Sequence, residues 1–304
     1  MNFANSDLRS LAVFRAVVER GGFVGAQAEL GMSQSTVSFH MKALETRLGF
    51  TLCERGRGGF RLTERGKLVH QKSTELFLAL NDFESEIGSL RDRVVGTLRL
   101  GTIDNTLSFD GLPLPQIIKR VRQLAPEAEI QISVDDPQVL ATDVSGGNID
   151  IAIMPETGPV SGVKMTKLYN ERHSLYCARG HDLFDLPVTK ITETTVSDHA
   201  FVARNYGSLI ELEPFPSATV GALSEHMEIQ AMFILSGEYI GYLPDHFAKD
   251  RVARGELRCL LNETASINSQ FVLATRTGRR STALLDLFIR ELLVSLSEVY
   301  HRDA

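Results

Sequence analysis

Polar and basic side chains recur on one face of a short helical stretch between residues 34 and 48. At 100° per residue, four apolar residues fall on one narrow stripe, which predicts the buried side of a helix: Val37, Met41, Leu44 and Leu48. The opposite face and the turn before it carry groups that can bond base edges or phosphates. The residues with this candidate chemistry are Ser33, Gln34, Ser35, Thr36, Ser38, Phe39 and Lys42.

Phe39 is an aromatic residue in the middle of this otherwise polar face. A phenyl ring at that position can contact the methyl groups of thymine in the major groove of DNA. It can equally pack against the hairpin that follows the helix. The pattern leaves both interpretations open.

The segments before this helix are expected to hold it in place. A first helix is predicted from residue 6 or 7, because apolar residues keep helical spacing through residue 18. It should end at Gly21-Gly22, since glycine is favoured just past a helix end. A second helix is predicted over about Phe23 to Leu30. Ser33 then stands where an N-cap belongs, so its hydroxyl can accept a bond from the next turn.

A basic, glycine-rich hairpin is predicted over residues 54–66. Glycine permits the tight reversal, and guanidinium groups can reach the backbone or the minor groove of DNA. A solvated basic loop is the alternative interpretation. The arginines of the hairpin are Arg55, Arg57, Arg61 and Arg65, and the first three are the candidates for contact with DNA. Helix, turn, capped helix and basic hairpin together predict a winged helix-turn-helix DNA-binding domain over residues 1–64.

Charge is divided unevenly along the chain. Residues 1–72 hold 11 Lys and Arg against 6 Asp and Glu, a balance of +5. Residues 73–304 hold 21 against 32, a balance of -11. A basic head on an acidic body can bind phosphates locally while the body avoids non-specific association with nucleic acid.

A long helix is predicted over residues 65–93, where no proline interrupts the chain. Apolar residues recur there every seven positions, with a second line three residues before them, as in a coiled-coil seam. The pattern predicts a dimerising helix, and an amphipathic helix packed on its own chain is the alternative. The seam residues are Val69, Leu76, Leu80, Phe83, Ile87 and Leu90, with a polar interruption at Ser73.

Strands and helices alternate from residue 95 onward, which predicts parallel sheets with right-handed crossovers. Two sets of such elements invite a ligand cleft between two α/β lobes, at the carboxyl ends of strands. The predicted elements are strands at 97–103, 129–134, 149–154, 173–178, 200–204 and 239–243, and helices at 114–124, 225–236 and 282–299.

Four motifs follow one another in the amino-terminal segment: SQSTVS at 33–38, LETRLG at 44–49, LCER at 52–55 and LTERG at 62–66. With these motifs in this order, the segment closely resembles the LysR-type transcriptional regulators. Cys53 and Phe39 depart from the residues usual in the family at those positions. The carboxy-terminal match is looser and rests on LRLGT at 98–102, GGNIDIAI at 146–153 and GEYIGYLPD at 237–245.

The resemblance implies an α/β effector-binding domain over residues 94–304, with two periplasmic-binding-protein-like lobes joined by two crossing strands. We expect the crossings near residues 162–166 and 265–269. Lobe I would then hold residues 95–162 and 270–304, and lobe II residues 163–268. The resemblance also implies a bacterial regulator that assembles as a homodimer or homotetramer and has RNA polymerase as a further candidate partner.

The small-molecule effector is expected between the lobes. Arg204 can clamp a carboxylate in a bidentate manner, whereas Asp104 and Glu225 suit an amine. Both signs within one cleft would fit a zwitterion. By their position relative to the family's effector loop and helix starts, the candidate effector-binding residues are Ile103, Asp104, Asn105, Thr106, Gln138, Arg204, Tyr206, Ser224 and Glu225.

Several kinds of site are not predicted. The three cysteines, Cys53, Cys177 and Cys259, form no CxxC pair, which indicates a reducing compartment. The histidines are scattered, so no metal site is expected. The sequence has no apparent signal peptide and no apolar run long enough to span a membrane, so a cytoplasmic location is expected. No catalytic residues and no cofactor are predicted.

Three functional classes compete on this sequence: a transcriptional regulator, an enzyme or small-molecule-binding protein, and a nucleoid-type DNA binder. A ligand-responsive, sequence-specific regulator uses every feature above, and an effector-independent regulator uses all but the cleft. An enzyme or small-molecule-binding protein with an incidental helix-turn-helix lacks support, because GxSxG, HExxH and GxxxxGK[ST] motifs are absent. A nucleoid-type DNA binder would gain little from an acidic two-lobed body.

Overall fold

The computed structural model describes residues 4–56, 59–89, 93–205, 210–261, 264–278 and 281–300. The chain divides into two compact units, Met1–Glu84 and Ser85–Ala304. The amino-terminal unit holds the elements that carry the candidate DNA chemistry. The carboxy-terminal unit holds the two sets of strands between which a ligand cleft was expected.

The amino-terminal unit begins with three helices, α1 Asn5–Glu19, α2 Phe23–Leu30 and α3 Gln34–Leu48. The predicted bounds of α2 and α3 agree with the structure. Gly21 and Gly22 have φ of 66° and 148°, a conformation that suits glycine and allows the sharp turn into α2. The Ser33 hydroxyl accepts a bond from the Thr36 amide (3.2 Å) and caps α3, as expected.

A two-stranded wing follows, in which β1 Cys53–Gly56 pairs antiparallel with β2 Gly59–Leu62. The long helix α4 then runs over Glu64–Ser89. The amino-terminal core forms where the apolar stripe of α3 meets α1 and α2. Its members include Phe14, Val17, Val37, Met41, Leu44 and Leu52.

The carboxy-terminal unit opens with three parallel strands and their crossover helices. These elements are β3 Gly96–Thr102, α5 Leu114–Leu124, β4 Ala128–Val134, α6 Pro137–Gly146 and β5 Ile151–Pro155. Strand β3 lies between β4 and β5 and pairs in parallel with both. Together with the carboxy-terminal helix α10 Ala283–Tyr300, we call this group lobe I.

A second group of elements, which we call lobe II, lies between two long strands, β6 Val163–Ala178 and β11 Ile267–Arg276. In lobe II, β7 pairs in parallel with β8, and β9 and β10 pair antiparallel with β6. The lobe II elements are α7 Glu193–Ser197, β7 Ala200–Arg204, β8 Thr219–Ser224, α8 Met227–Leu235, β9 Gly241–Pro244, α9 Asp245–Ala253 and β10 Leu257–Leu260.

Strand β6 is longer than the sequence analysis predicted. Only its last part, residues 173–178, was expected to be a strand, whereas it extends over 16 residues. The polar run Asn170–Arg172 interrupts the apolar alternation and hides the strand from a pattern search. Strands β6 and β11 pair antiparallel from Val163↔Arg276 to His173↔Ile267, so the connection between the lobes is an extended ladder.

Gly66 provides a direct test of the wing packing. A Cβ built on Gly66 would lie 1.9 Å from the carbonyl oxygen of Leu52, a backbone atom that cannot move aside cheaply. We therefore expect Gly66→Ala to destabilise the amino-terminal unit by roughly 2 kcal/mol or more, as overpacking does in a well-packed core. Thermal or urea unfolding measures the effect.

Gly146→Ala is the matched control, because Gly146 is also helical and a Cβ there meets nothing within 4 Å. This control should be neutral or slightly stabilising, since alanine reduces the entropy of the unfolded chain. Equal unfolding midpoints for the two variants would contradict the packing described for Gly66.

Candidate nucleic-acid interface and inter-lobe cleft

The hydroxyl groups at the start of α3 form a small network. The Ser33 hydroxyl lies 2.8 Å from the Ser35 hydroxyl and 2.8 Å from the Thr36 hydroxyl. These contacts orient both side chains at the exposed amino-terminal end of the helix. The Thr36 side chain is half-buried, whereas Gln34 and Ser35 are exposed.

Phe39 projects from the middle of α3 with 69% of its surface exposed. Its ring meets the His40 ring edge-on, with 5.8 Å between the centroids. His40 is held in turn through Nδ1, which lies 3.1 Å from the hydroxyl of Ser10 on α1. The large exposed fraction argues against the alternative that Phe39 packs into the wing.

A surface groove of about 520 Å³ lies beside Phe39, between α3 and the start of α1. One wall carries the exposed Lys42, and the other carries Asp7, whose carboxylate lies 3.6 Å from Arg47 Nε. The groove is lined by Ala4, Ser6, Asp7, Phe39, Lys42, Ala43, Thr46 and Arg47.

The wing arginines are placed less completely. Arg61 on β2 is exposed. The backbone of Arg55 lies in β1, and Arg57 lies outside the residues that the structure describes. The contacts predicted for these three arginines therefore stay predictions.

The inter-lobe cleft forms where two pairs of parallel strands end, one pair in each lobe. In lobe I, β3 and β4 are neighbours whose last residues, Thr102 and Val134, are paired. In lobe II, β7 and β8 are neighbours whose last residues, Arg204 and Ser224, are paired. Because parallel strands end at the same edge of a sheet, the residues that follow each pair converge.

The cavity at this edge measures about 340 Å³. Four of its lining residues are carboxylates, and Lys and Arg are absent from the described lining. The lining residues are Ile103, Asp104, Asp135, Asp136, Pro137, Val139, Asn205, Glu225 and His226. The formal charge of the described lining is therefore negative.

Asp104 bridges the two lobes. Its Oδ2 accepts a bond of 2.6 Å from the backbone amide of Met227, the first residue of α8. The carboxylate thereby occupies the positive end of the helix dipole, a position that otherwise attracts anions. Burial raises the pKa of Asp104, although the Met227 amide and His226 partly oppose that shift.

Arg204 does not line the cavity, in contrast to its predicted role as a carboxylate clamp. The Arg204 side chain is buried and its Nε donates to Glu211. The chain places this acidic partner only seven residues later, and a buried cation without an ion pair would be costly. The guanidinium therefore forms an ion pair inside lobe II.

The other predicted effector residues divide into three groups. Ile103, Asp104 and Glu225 line the cavity. The hydroxyls of Thr106 and Ser224 are used within their own turns, bonding the carbonyls of Ile103 and His226. Asn105, which has a left-handed conformation (φ 58°), and the exposed Gln138 do not belong to the described lining. Tyr206 is not among the residues that the structure describes.

Six lining residues were not among the effector residues predicted from sequence: Asp135, Asp136, Pro137, Val139, Asn205 and His226. Asp135 and Asp136 follow β4 and read as a solvated acidic turn. The parallel pairing of β3 with β4 was the signal that could have found them, because it brings residues after both strands to one edge. The same argument on β7 and β8 brings Asn205 to Glu225, whose Oε1 accepts from Asn205 Nδ2 at 3.2 Å.

Comparisons with known families match both units. The model of the bacterial regulatory helix-turn-helix protein, lysR family, matches residues 8–67. The LysR substrate binding domain matches residues 91–296, about two thirds of the chain. The chain belongs to the LysR family. It is therefore a DNA-binding transcriptional regulator with an effector-binding domain and not an enzyme.

Individual relatives agree with this assignment. The regulator is 35% identical over 290 residues to the HTH-type transcriptional activator BauR of Pseudomonas aeruginosa, covering 95% of each chain. Its fold is similar to ArgP from Mycobacterium tuberculosis (TM-score 0.60, 18% identity, 95% of this chain and 96% of that one). It is also similar to LysG from Corynebacterium glutamicum with bound effector Arg (TM-score 0.55, 21% identity, 98% and 99%).

The part of the regulator that the structure describes contains no candidate membrane span and no candidate metal site. In that part of the chain, none of the helices is both long and apolar enough to cross a membrane. The same residues contain no group of three His, Cys, Asp or Glu side chains that could hold a metal ion. All three cysteines are free thiols.

A buried hydrogen-bonded cluster lies where β6 leaves lobe I for lobe II. The Glu171 carboxylate contacts His173 Nε2 at 2.7 Å and His246 Nε2 at 2.9 Å. His246 Nδ1 lies 2.9 Å from the hydroxyl of Ser108 in lobe I, so the cluster joins both lobes to the crossing strand.

The titration of this cluster has a definite direction. Burial by itself would raise the pKa of Glu171, but the bonds from His173 and His246 outweigh it and bring that pKa to about 2. Burial lowers the pKa of His173. Because an ionised carboxylate can only accept, His173 Nε2 is the donor in its bond to Glu171. Between about pH 2 and pH 4.5, the Glu171 carboxyl is therefore mostly ionised in the folded state, whereas it is mostly protonated in the unfolded chain.

We expect Glu171→Gln to lower the free energy of unfolding at pH 7 by roughly 3 kcal/mol at most. A carboxyl whose folded pKa is depressed stabilises above its unfolded pKa, near 4.5, and loses that contribution as pH falls toward 2. The difference in unfolding free energy between the variant and the wild type should therefore become smaller as the pH falls from 5 to 2. Urea unfolding across this range measures it.

Glu213→Gln is the matched control, since Glu213 is exposed in lobe II. It should leave the unfolding free energy nearly unchanged at every pH. A gap for Glu171→Gln that stays constant with pH would contradict the ionised cluster.

Proposed function

We propose that this regulator controls transcription by coupling operator binding to a small cationic effector held between its two lobes. The proposal rests on the cavity between the lobes. Its described lining contains the carboxylates of Asp104, Asp135, Asp136 and Glu225 and contains no Lys or Arg. An anionic effector would meet four carboxylates there. An ammonium group would instead find acceptors from both lobes.

The Asp104–Met227 contact supports the same effector charge. An anionic ligand group commonly binds at a helix amino terminus, but Asp104 already fills that position on α8. Arg204, the residue predicted to clamp a carboxylate, is paired with Glu211, so neither it nor the α8 amino terminus is open to an anionic group. The zwitterion considered from sequence therefore gives way to a net cation, such as a diamine or a basic amino acid.

The solved relative LysG has Arg as its bound effector, and that molecule carries a guanidinium. This supports cation recognition in a protein of the same fold and does not identify the ligand of this chain. A cation that binds the closed arrangement of the two lobes more tightly than the open one would increase the population of the closed state. We propose this population shift as the regulatory event.

On the DNA side, we propose that α3 enters the major groove and that the wing contacts the backbone or minor groove. The residues proposed to contact the operator are Ser33, Gln34, Ser35, Thr36, Ser38, Phe39, Lys42, Arg55, Arg57 and Arg61. The division of roles follows: residues 1–64 bind DNA, 65–93 link and dimerise, and 94–304 bind the effector.

Thermal unfolding against a ligand panel tests the effector proposal. The panel pairs aliphatic diamines and basic amino acids with dicarboxylic acids of similar length. A ligand that binds only the folded state stabilises by about 2.7 kcal/mol at one hundred times its Kd. We expect midpoint increases from cations and none from dicarboxylates.

The variant Glu225→Gln should bind the cation more weakly, because it removes one charge-assisted acceptor. We expect its apparent Kd, obtained from the ligand-induced rise in unfolding midpoint, to increase at least ten-fold. Glu213→Gln, an exposed carboxylate of the same lobe, is the control and should bind as wild type. A hit from dicarboxylates, or cation binding that ignores Glu225→Gln, refutes the proposal. A panel without hits, together with operator binding, favours an effector-independent regulator.

We also propose that α4 mediates a homodimer or homotetramer. One stripe of α4 leaves apolar side chains exposed, with Phe83 at 61%. Val69 instead packs against the amino-terminal core, and Leu90 lies outside the described residues, so neither supports the seam. The residues that support it are Leu76, Leu80, Phe83 and Ile87.

Phe83→Lys should shift the protein toward monomer at micromolar concentration, because a charge would be buried in the seam. Light scattering after size exclusion measures the mass. Val188→Lys, which places a lysine at another exposed apolar position in lobe II, should leave the oligomer intact. Unchanged mass for Phe83→Lys would exclude this helix as the dimer contact.

The remaining parts of the proposal follow from acting on promoters. We propose a cytoplasmic location, where the chromosome lies and where three free thiols stay reduced. RNA polymerase is the proposed further partner at the promoter.

A further inference from the structure

Phe39 is the residue of α3 whose position folding alone does not explain. The buried stripe of the helix is complete with Val37, Met41 and Leu44, and Phe39 lies on the opposite side. It leaves 69% of its surface in water. An exposed large apolar group on a functional surface is informative because folding gains little from it.

Its surroundings keep the ring in place without burying it. His40 packs edge-on against the ring, and its own Nδ1 lies 3.1 Å from the Ser10 hydroxyl of α1. The groove beside the ring is open along Ala43 and Thr46. Phe39 is thus presented outward on a rigid helix.

The polar neighbours are engaged in different tasks. The hydroxyls of Ser35 and Thr36 are tied to Ser33 at the helix cap, one turn before Phe39. Lys42, one turn after it, is an exposed cation suited to a phosphate. Phe39 therefore occupies the middle of the face, where a helix in the major groove meets base edges.

The major groove of DNA offers one apolar group, the C5-methyl of thymine, and cytosine carries hydrogen at the same position. We propose that Phe39 distinguishes thymine from cytosine at one position of each half-site by packing on that methyl. This inference rests on the proposed insertion of α3 into the major groove. It adds the chemical group that the helix reads and the residue that reads it.

A protein partner fits this surface less well. The groove beside the ring is lined by Lys42 and by Arg47, which pairs with Asp7, and residues 1–72 carry a net charge of +5. A single exposed ring in these polar surroundings lacks the apolar area that stable protein interfaces bury. The same charges favour a polyanion.

The experiment removes the methyl group without changing a hydrogen bond. The full-length regulator first selects its operator from random duplex DNA. Each thymine of that operator is then replaced by deoxyuridine, which lacks only the methyl, and the Kd is measured at fixed salt. We expect one thymine per half-site at which deoxyuridine weakens binding about four-fold, the fold-change equivalent of one buried methylene.

Phe39→Ala should bind the same operator more weakly and show no difference between thymine and deoxyuridine at that position. Phe39→Leu, which keeps an apolar group, should retain part of the difference. Lys42→Ala is the control: it should weaken binding uniformly and reduce the salt dependence, but keep the four-fold methyl effect. Equal unfolding midpoints confirm that these exposed-site variants are folded.

The outcomes are separable. A methyl effect of the same size in wild type and Phe39→Ala overturns the inference, as does the absence of any thymine with an effect. Both results leave operator recognition itself intact. Failure of the full-length regulator to select any sequence would refute the proposed function, and this inference would fall with it.

Discussion

The antiparallel ladder between β6 and β11 is the element on which the carboxy-terminal unit depends. It runs from Val163↔Arg276 to His173↔Ile267. Both strands belong to one sheet, in which β11 also pairs with β5 of lobe I and β6 also pairs with β9 and β10 of lobe II. The ladder carries a buried charge at its lobe II end, where Glu171 takes bonds from His173 and His246. Such a carboxylate is tolerated only with these partners, so the ladder, lobe II and the Ser108 loop are specified together.

The cleft is a consequence of this connection. The ladder holds lobe I and lobe II so that the carboxyl ends of β3 and β4 face those of β7 and β8. Loops at such ends are free to carry any side chain, since the sheets do not need them for packing. Here three of them carry acids. The fold supplies the position of a ligand site, and the loop residues alone decide its charge.

The sequence was sufficient for the elements whose pattern is local. The spacing of Val37, Met41 and Leu44 and the cap at Ser33 fix α3, and the structure has the predicted bounds. Contacts between distant segments were not accessible. Arg204 looked like an open clamp because its pairing with Glu211 depends on how the chain folds back after β7. Asp135 stayed hidden because strand order, rather than any motif, brings it to Asp104.

The two units solve opposite electrostatic problems. Operator binding needs cations on the amino-terminal unit, but long-range attraction to phosphates carries no sequence information. Discrimination must then come from contacts to base edges, and the uncharged ring at the centre of α3 is the group that we propose to make such a contact. The cleft shows the converse arrangement. Its carboxylates attract cations and repel phosphates, so nucleic acid would be kept out of the proposed ligand site while the basic unit binds it.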